Sequence, residues 1–155
     1  MASWGEFEAA EPELASRVRQ LFDAGRHKTI ATVRSDGSPR ISGIECAFDD
    51  GELRFGSMPR SRKLADLFRD PRVAIHGPTF HPEEGREGEW PGEAKVAGRA
   101  FVLDATSQSD DAEIEGAIFR VDLSEVVITR LDDKATKLVV ESWTPERGLR
   151  LTERD

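Results

Sequence analysis

Two Asp-Gly pairs, Asp36-Gly37 and Asp50-Gly51, each separate two short runs of apolar and β-branched residues. Such pairs mark hairpins. Turns that match the twist of adjoining strands need positive φ, which Gly adopts readily and Asp tolerates. The stretch "KTIATVRSDGSPRISGIECAFDDGELRFGS" therefore predicts three strands in an antiparallel meander and excludes an alternating βαβ pattern there. Upstream, Leu14, Val18, Leu21 and Phe22 recur at helical spacing between Pro12 and Gly25, which predicts an amphipathic helix. A second helix is expected over "SRKLADLFRD", with Leu64, Leu67 and Phe68 as its buried stripe and polar flanks facing out. Asp70-Pro71 stops it. "RVAIH", "EAKVAGRAFVLDA", "AIFRVDLSEVVITRL" and "KLVVESW" read as further strands, residues 77–92 as the one long loop, and "SQSDDAEIEG" as a short polar helix or turn. The sum is an α+β chain, mainly β: six to seven antiparallel strands in a small barrel, with two or three short helices.

At 155 residues the chain is expected to form a single domain, 1–155. Its formal net charge of −8 argues against nucleic acid as a partner. The acids cluster at residues 83–93, 104–115 and 132–133, which leaves room for a local basic site. One cysteine, Cys46, permits no intrachain disulfide and suits a reducing cytoplasm; its apolar neighbours predict a buried, inert thiol. No long uncharged apolar run is present, so no membrane association is expected.

No familiar catalytic set stands out. His27, His76 and His81 are scattered, without metal-ligand spacing, so no metal site is expected. No nucleophile elbow, Walker loop or dinucleotide fingerprint occurs. Any chemistry would then belong to a bound cofactor, with the protein supplying position and electrostatics.

The stretch "RFGSMPRSRKLADLFRDPRVAIH" is where such a cofactor would be held. A strand ends at Phe55-Gly56-Ser57, and the helix that follows can be capped by Ser57 or Ser61. Arg60, Arg62 and Lys63 crowd its first turn, where cations oppose the helix dipole. An anion bound between the amides and these side chains would remove that conflict. Gly56 would let a flat ligand approach the strand closely. A solvated basic face paired with nearby acids stays open on spacing alone.

With Ser61-Arg62-Lys63 opening the helix and Asp70-Pro71-Arg72 closing it, the segment resembles the flavin-phosphate segment of the pyridoxamine 5'-phosphate oxidase-like superfamily. These are the FMN- and deazaflavin-binding split β-barrels. The upstream strand, Asp-Gly-x-Pro turn and second strand resemble that family's first hairpin; the likeness is good over residues 30–76 and looser in the C-terminal third. It implies a split barrel of six strands, usually a homodimer with cofactor sites at the subunit interface. Arg62 and Lys63 would hold the cofactor phosphate, with Arg60 in the same basic turn and Ser61 donating a hydrogen bond. Gly56, Ser57 and Met58 would run along the isoalloxazine edge. Trp143 would pack against the flavin, or equally sit in the core or the dimer interface.

The C-terminus departs from the true oxidase. That enzyme ends with Glu-x-Trp, a short gap and Arg-Leu-His-x-Arg; here Glu141 and Trp143 are followed, one residue late, by Arg150, Leu151, Thr152 and Arg154. A threonine hydroxyl matches neither the charge nor the reach of an imidazole, so vitamin B6 oxidation is not expected. The resemblance thus implies a flavin-dependent oxidoreductase acting on a small molecule. FMN is the expected cofactor on the Ser61-Arg62-Lys63 pattern, and the acidic loop of residues 81–93 would offer a poor surface to the poly-glutamylated tail of the deazaflavin coenzyme F-420. The alternatives are an F-420-dependent reductase and a non-catalytic flavin, haem or tetrapyrrole-binding protein.

Overall fold

The computed structural model describes residues 1–107 and 114–155. Among these residues three helices, α1 (Trp4–Ala10), α2 (Pro12–Asp23) and α3 (Arg62–Arg69), accompany nine antiparallel strands. These are β1 (Lys28–Val33), β2 (Pro39–Ile44), β3 (Cys46–Asp49), β4 (Glu52–Ser57), β5 (Arg72–His76), β6 (Glu93–Ser107), β7 (Ile114–Leu131), β8 (Leu138–Thr144) and β9 (Gly148–Arg154). The chain is mainly β, as expected, with more strands than the six or seven read from sequence. The loop over residues 77–92 contains one short turn of 3₁₀ helix, Glu87–Glu89. The polar helix or turn expected over residues 107–116 falls largely outside the described residues.

Both Asp-Gly hairpins form. Asp50 and Gly51, with φ 50° and 72°, make the two-residue turn between Asp49 and Glu52; in the longer loop between Val33 and Pro39, Gly37 supplies the positive φ at 87°. The meander does not form. Glu45 interrupts the predicted middle strand; β2 pairs only with β1, and β3 only with β4. The strand order is β2-β1-β5-β6-β7-β4-β3, so consecutive strands lie at opposite ends of the sheet. A single residue bridges them, which brings the two edges within ~7 Å at that corner. The sheet must therefore curl almost onto itself and stay unbonded along the β2/β3 seam. That is a split barrel.

Long β7 carries this architecture. Between Ile114 and Thr129 it pairs with β6, in its first half also with β4, and in its second half with β8, which in turn carries β9. Register shifts at Ala97/Gly98 and Val102/Asp104 bend the β6–β7 ribbon. At the first bend a Cβ on Gly98 would run into the Asp122 carbonyl.

Helix α1 has a sequence signature that composition alone conceals. Ser3 accepts from the Glu6 amide at 3.1 Å while Glu6 accepts from the Ser3 amide at 3.2 Å, a complete capping box. Its buried Trp4 and Phe7 reach Phe48 and Trp143, with ring centroids 4.4 and 4.7 Å apart. Helix α2 is fastened to the barrel by charge. Arg17 grips the buried Glu141 of β8 with two bonds of 2.6 and 2.8 Å, and Arg130 of β7 adds one of 3.0 Å. On α3 the expected stripe is corrected: Leu64 and Leu67 are buried, but Phe68 is 47% exposed while Lys63 and Asp66 turn inward. Hydrogen-bond partners inside the barrel, described below, outweigh the apolar pattern there.

The bonds from Arg17, against the opposing effect of burial, hold the Glu141 carboxyl below its ordinary 4.5. Its stabilising contribution is therefore complete above that value and fades as the pH falls below it. Glu141→Ala should cost about 3 kcal/mol at neutral pH, the low end for breaking a buried pair, because both arginines are about one-third exposed. Urea unfolding should show the wild-type and variant stabilities converging in acid; a gap that persists unchanged at pH 3 would contradict the pairing.

Candidate functional site

The cleft at the seam is the candidate site. Strand β4 ends at the buried Ser57, and the chain turns through Met58-Pro59-Arg60 into α3. Arg60 takes φ 57°, rare for a side chain of its size, at the tightest point of the turn. Ser61 then caps the helix: its Oγ accepts from the Leu64 amide at 3.2 Å and lies 2.8 Å from Ser57 Oγ. Lys63 completes the group, donating from Nζ to Ser57 Oγ at 3.4 Å.

Lys63 is only 7% exposed, yet no carboxylate lies within 4.0 Å of it among the described residues. Burial lowers its pKa, with nothing opposing. A buried ammonium normally has a counter-charge, since an uncompensated one is costly. What keeps it there is the anchoring of α3 through Asp66. That carboxylate, 3% exposed, accepts from Thr32 Oγ1 of β1 at 2.8 Å, Arg40 Nε of β2 at 2.7 Å and Arg69 at 3.0 Å. Burial pushes the Asp66 carboxyl up, but the three donors outweigh it and the net shift is downward. Asp66 therefore fixes the helix face that carries Lys63, one turn earlier.

From this basic end an open cleft of about 1010 Å³ runs over the barrel between β2, β3, β4 and β7. Gly43, Ala47, Gly56, Gly116 and Ala117 line it, so main chain forms much of its wall. A Cβ on Gly56 would meet no protein atom nearer than the Ala117 carbonyl at 4.0 Å and would project into the cleft instead. The shape suits a flat ring laid on backbone.

Of the sequence-predicted residues, Gly56, Ser57, Met58 and Lys63 line the cleft, and Ser61 adjoins it through Ser57. Arg62 begins α3 and is exposed, as is Arg60 in the preceding turn. Trp143 is not brought there: it is 4% exposed in the core against Phe7. Cys46 lines the cleft but burial pushes its thiol up to about 12, so it is inert as a nucleophile. Among the described residues no three His, Cys, Asp or Glu side chains gather as they would around a metal ion. No helix among the described residues is long and apolar enough to cross a membrane. Sequence reasoning missed Gly43, Ala47, Gly116 and Asp104. Gly43 had a signal, a glycine inside a strand; Gly116 and Asp104 reach the site only through pairing across long separations.

A barrel split at one seam, with a capped helix that carries a buried cation at the end of a glycine-walled cleft, places the chain among the split barrels. Residues 14–139 match the family described as pyridoxamine 5'-phosphate oxidase, and the chain belongs to that family. No curated protein matches the sequence significantly. Solved structures share the fold at low identity. One is a pyridoxamine 5'-phosphate oxidase-related, FMN-binding protein from Nostoc punctiforme, with 14% identity, TM-score 0.60, and coverage of 96% of this chain and 97% of that one. PhzG from Burkholderia lata, in complex with tetrahydrophenazine-1-carboxylic acid, is 12% identical with TM-score 0.59, covering 96% and 88%. A heme-binding protein from Mycobacterium smegmatis is 13% identical with TM-score 0.57, covering 92% and 88%.

Lys63→Met keeps the buried stem and removes the charge. The ligand-free variant should be at least as stable as the wild type at pH 7. Because the folded-state pKa of Lys63 is depressed, wild-type stability should rise relative to the variant as the pH climbs toward the ordinary 10.5. Thermal melts across pH 7–10 test this; a variant clearly less stable at pH 7 would show that Lys63 serves the fold rather than a ligand.

Proposed function

We propose that the protein is a flavin-dependent oxidoreductase that binds FMN, with residues 1–155 acting as one flavin-binding domain. The observation that carries this reading is the buried Lys63 ammonium, without a carboxylate partner among the described residues, at the end of a cleft whose wall is backbone at Gly56. A phosphate would supply the missing counter-charge. Lys63, Ser61 and Arg62 would hold it, helped by the amides of the first turn of α3. The ring would lie along Gly56, Ser57 and Met58. FMN supplies hydride chemistry when bound; the chain's own part is to anchor the phosphate, orient the ring and exclude water from one face.

The other face needs a cover. Met58 and Ile118 line the cleft yet are 76% and 46% exposed, and Val102 and Leu103 are exposed nearby on β6. A second copy related by two-fold symmetry would bury them, so the working unit is proposed to be a homodimer with the cofactor at its interface. The substrate is a small molecule other than pyridoxamine phosphate. Arg150, Thr152 and Arg154 do lie exposed along one side of β9, but the central imidazole is missing.

Isothermal titration tests the reading. Wild-type protein should bind FMN, and changing both Arg62 and Lys63 to Ala should weaken binding by roughly 3–6 kcal/mol, at ~1.5–3 kcal/mol per charge-assisted contact. The FMN-loaded wild type should release no hydrogen peroxide from pyridoxamine phosphate. Wild-type affinity in the double variant would sink the phosphate assignment.

A further inference from the structure

The cleft is electrically lopsided, and its poorer-served end says what it takes. The α3 end holds Lys63, with Arg62 outside it. Toward the β3 end the lining bases are His27 and Arg54, and the Arg54 guanidinium is already committed. Its Nε bonds Glu52 at 2.9 Å, and its two amino groups face Asp49 at 3.4 Å and Asp50 at 3.6 Å. The bond to Glu52 foremost, then the surrounding charges, raise its pKa. Three carboxylates around one guanidinium leave that end negative. Arg120, directly opposite Arg54 across β4–β7, is held by Asp122 at 3.4 Å and lies over the Phe101 ring at 5.0 Å. Glu45 is matched by Arg26 at 3.3 Å.

Asp104 stands apart from these pairs. It lines the cleft from β6, in register with Ile118, which is itself in register with Gly56. It is exposed and has no ion-pair partner among the described residues; residues 108–113, "QSDDAE", contain no Lys or Arg. Across the sheet from the ring-binding strand, the wall thus presents an unbalanced carboxylate.

Resting on the flavin reading, we infer that the cleft selects a neutral or cationic aromatic co-substrate and rejects carboxylates and phosphates, with Asp104 as a specificity-determining residue. An anion entering after the phosphate end is filled meets Asp104 and the acid-ringed Arg54, with no further Lys or Arg among the described lining residues to receive it. A cation meets Asp104 as a partner. Because these groups are near solvent, the selection acts over about one Debye length and is strongest at low salt.

The test uses FMN-loaded protein at low ionic strength and pH 8, where ordinary imidazoles are neutral. Three near-isosteric probes are titrated by ligand-observed NMR: 1-methylnicotinamide, a cation; nicotinamide, neutral; and nicotinate, an anion. The cation should bind at least fivefold tighter than the anion. The gap should shrink at high salt and invert or vanish in Asp104→Lys. Equal affinities, no binding of the cation, or an order that Asp104→Lys leaves unmoved would overturn the inference. So would preference for the anion; if Arg150→Ala then abolished that preference, the C-terminal arginine of a second copy would be the anion site. Should FMN not bind at all, the flavin reading fails at the first step. The same titrations with inorganic phosphate saturating the α3 end then judge the charge selection by the same criteria.

Discussion

The passage from β2 to β3 through the single residue Glu45 governs this structure. Two strands at opposite ends of the strand order cannot be joined by one residue unless the sheet closes toward itself. Closure is left incomplete, and the cleft opens at that seam. Every part of the candidate site depends on it: Gly43 and Ala47 come from the two sides of the break, and Gly56 and Gly116 from the strands behind it.

Helix α3 gives the opening its candidate site. Asp66 ties it to β1 and β2 through Thr32 and Arg40, and the same helix face delivers Lys63 to the end of the cleft. The two buried charges have different outcomes. Asp66 is satisfied three times over, whereas Lys63 has one long bond to a serine hydroxyl. Uncompensated burial of this kind is a cost that folding alone does not require, since a methionine would fill the space. The proposed ligand phosphate would account for it, and the glycine wall beyond would receive what the phosphate carries.

Local chemistry was legible in the sequence. The Asp-Gly turns, the helix beginning at Ser61 and the basic first turn all formed as their residues dictate. Helix α1 was not read, although the Ser3 to Glu6 capping box that starts it stands in the sequence. What could not be read was anything set by long-range pairing. The meander was expected because adjacent strands usually pair, yet β4 chooses the distant β7, with Ser57 opposite Ala117, and β2 and β3 are left as separate edges. Phe68 was assigned inward because it is apolar; the real constraint on α3 was polar, the bonds that Thr32 and Arg40 give to Asp66. Trp143 shows the same limit: alternation placed it on a strand face but not which face, and α1, with Phe7, covers the one it occupies.

The central claim is that an anion, and specifically a phosphate, anchors the ligand at Lys63 and α3. Comparing the affinities of wild-type protein for FMN and for riboflavin isolates that contact, since the two share every ring atom and differ only in the phosphate. FMN should bind at least about 100-fold tighter, the equivalent of one to two charge-assisted contacts. Affinities equal within a factor of three would contradict the account.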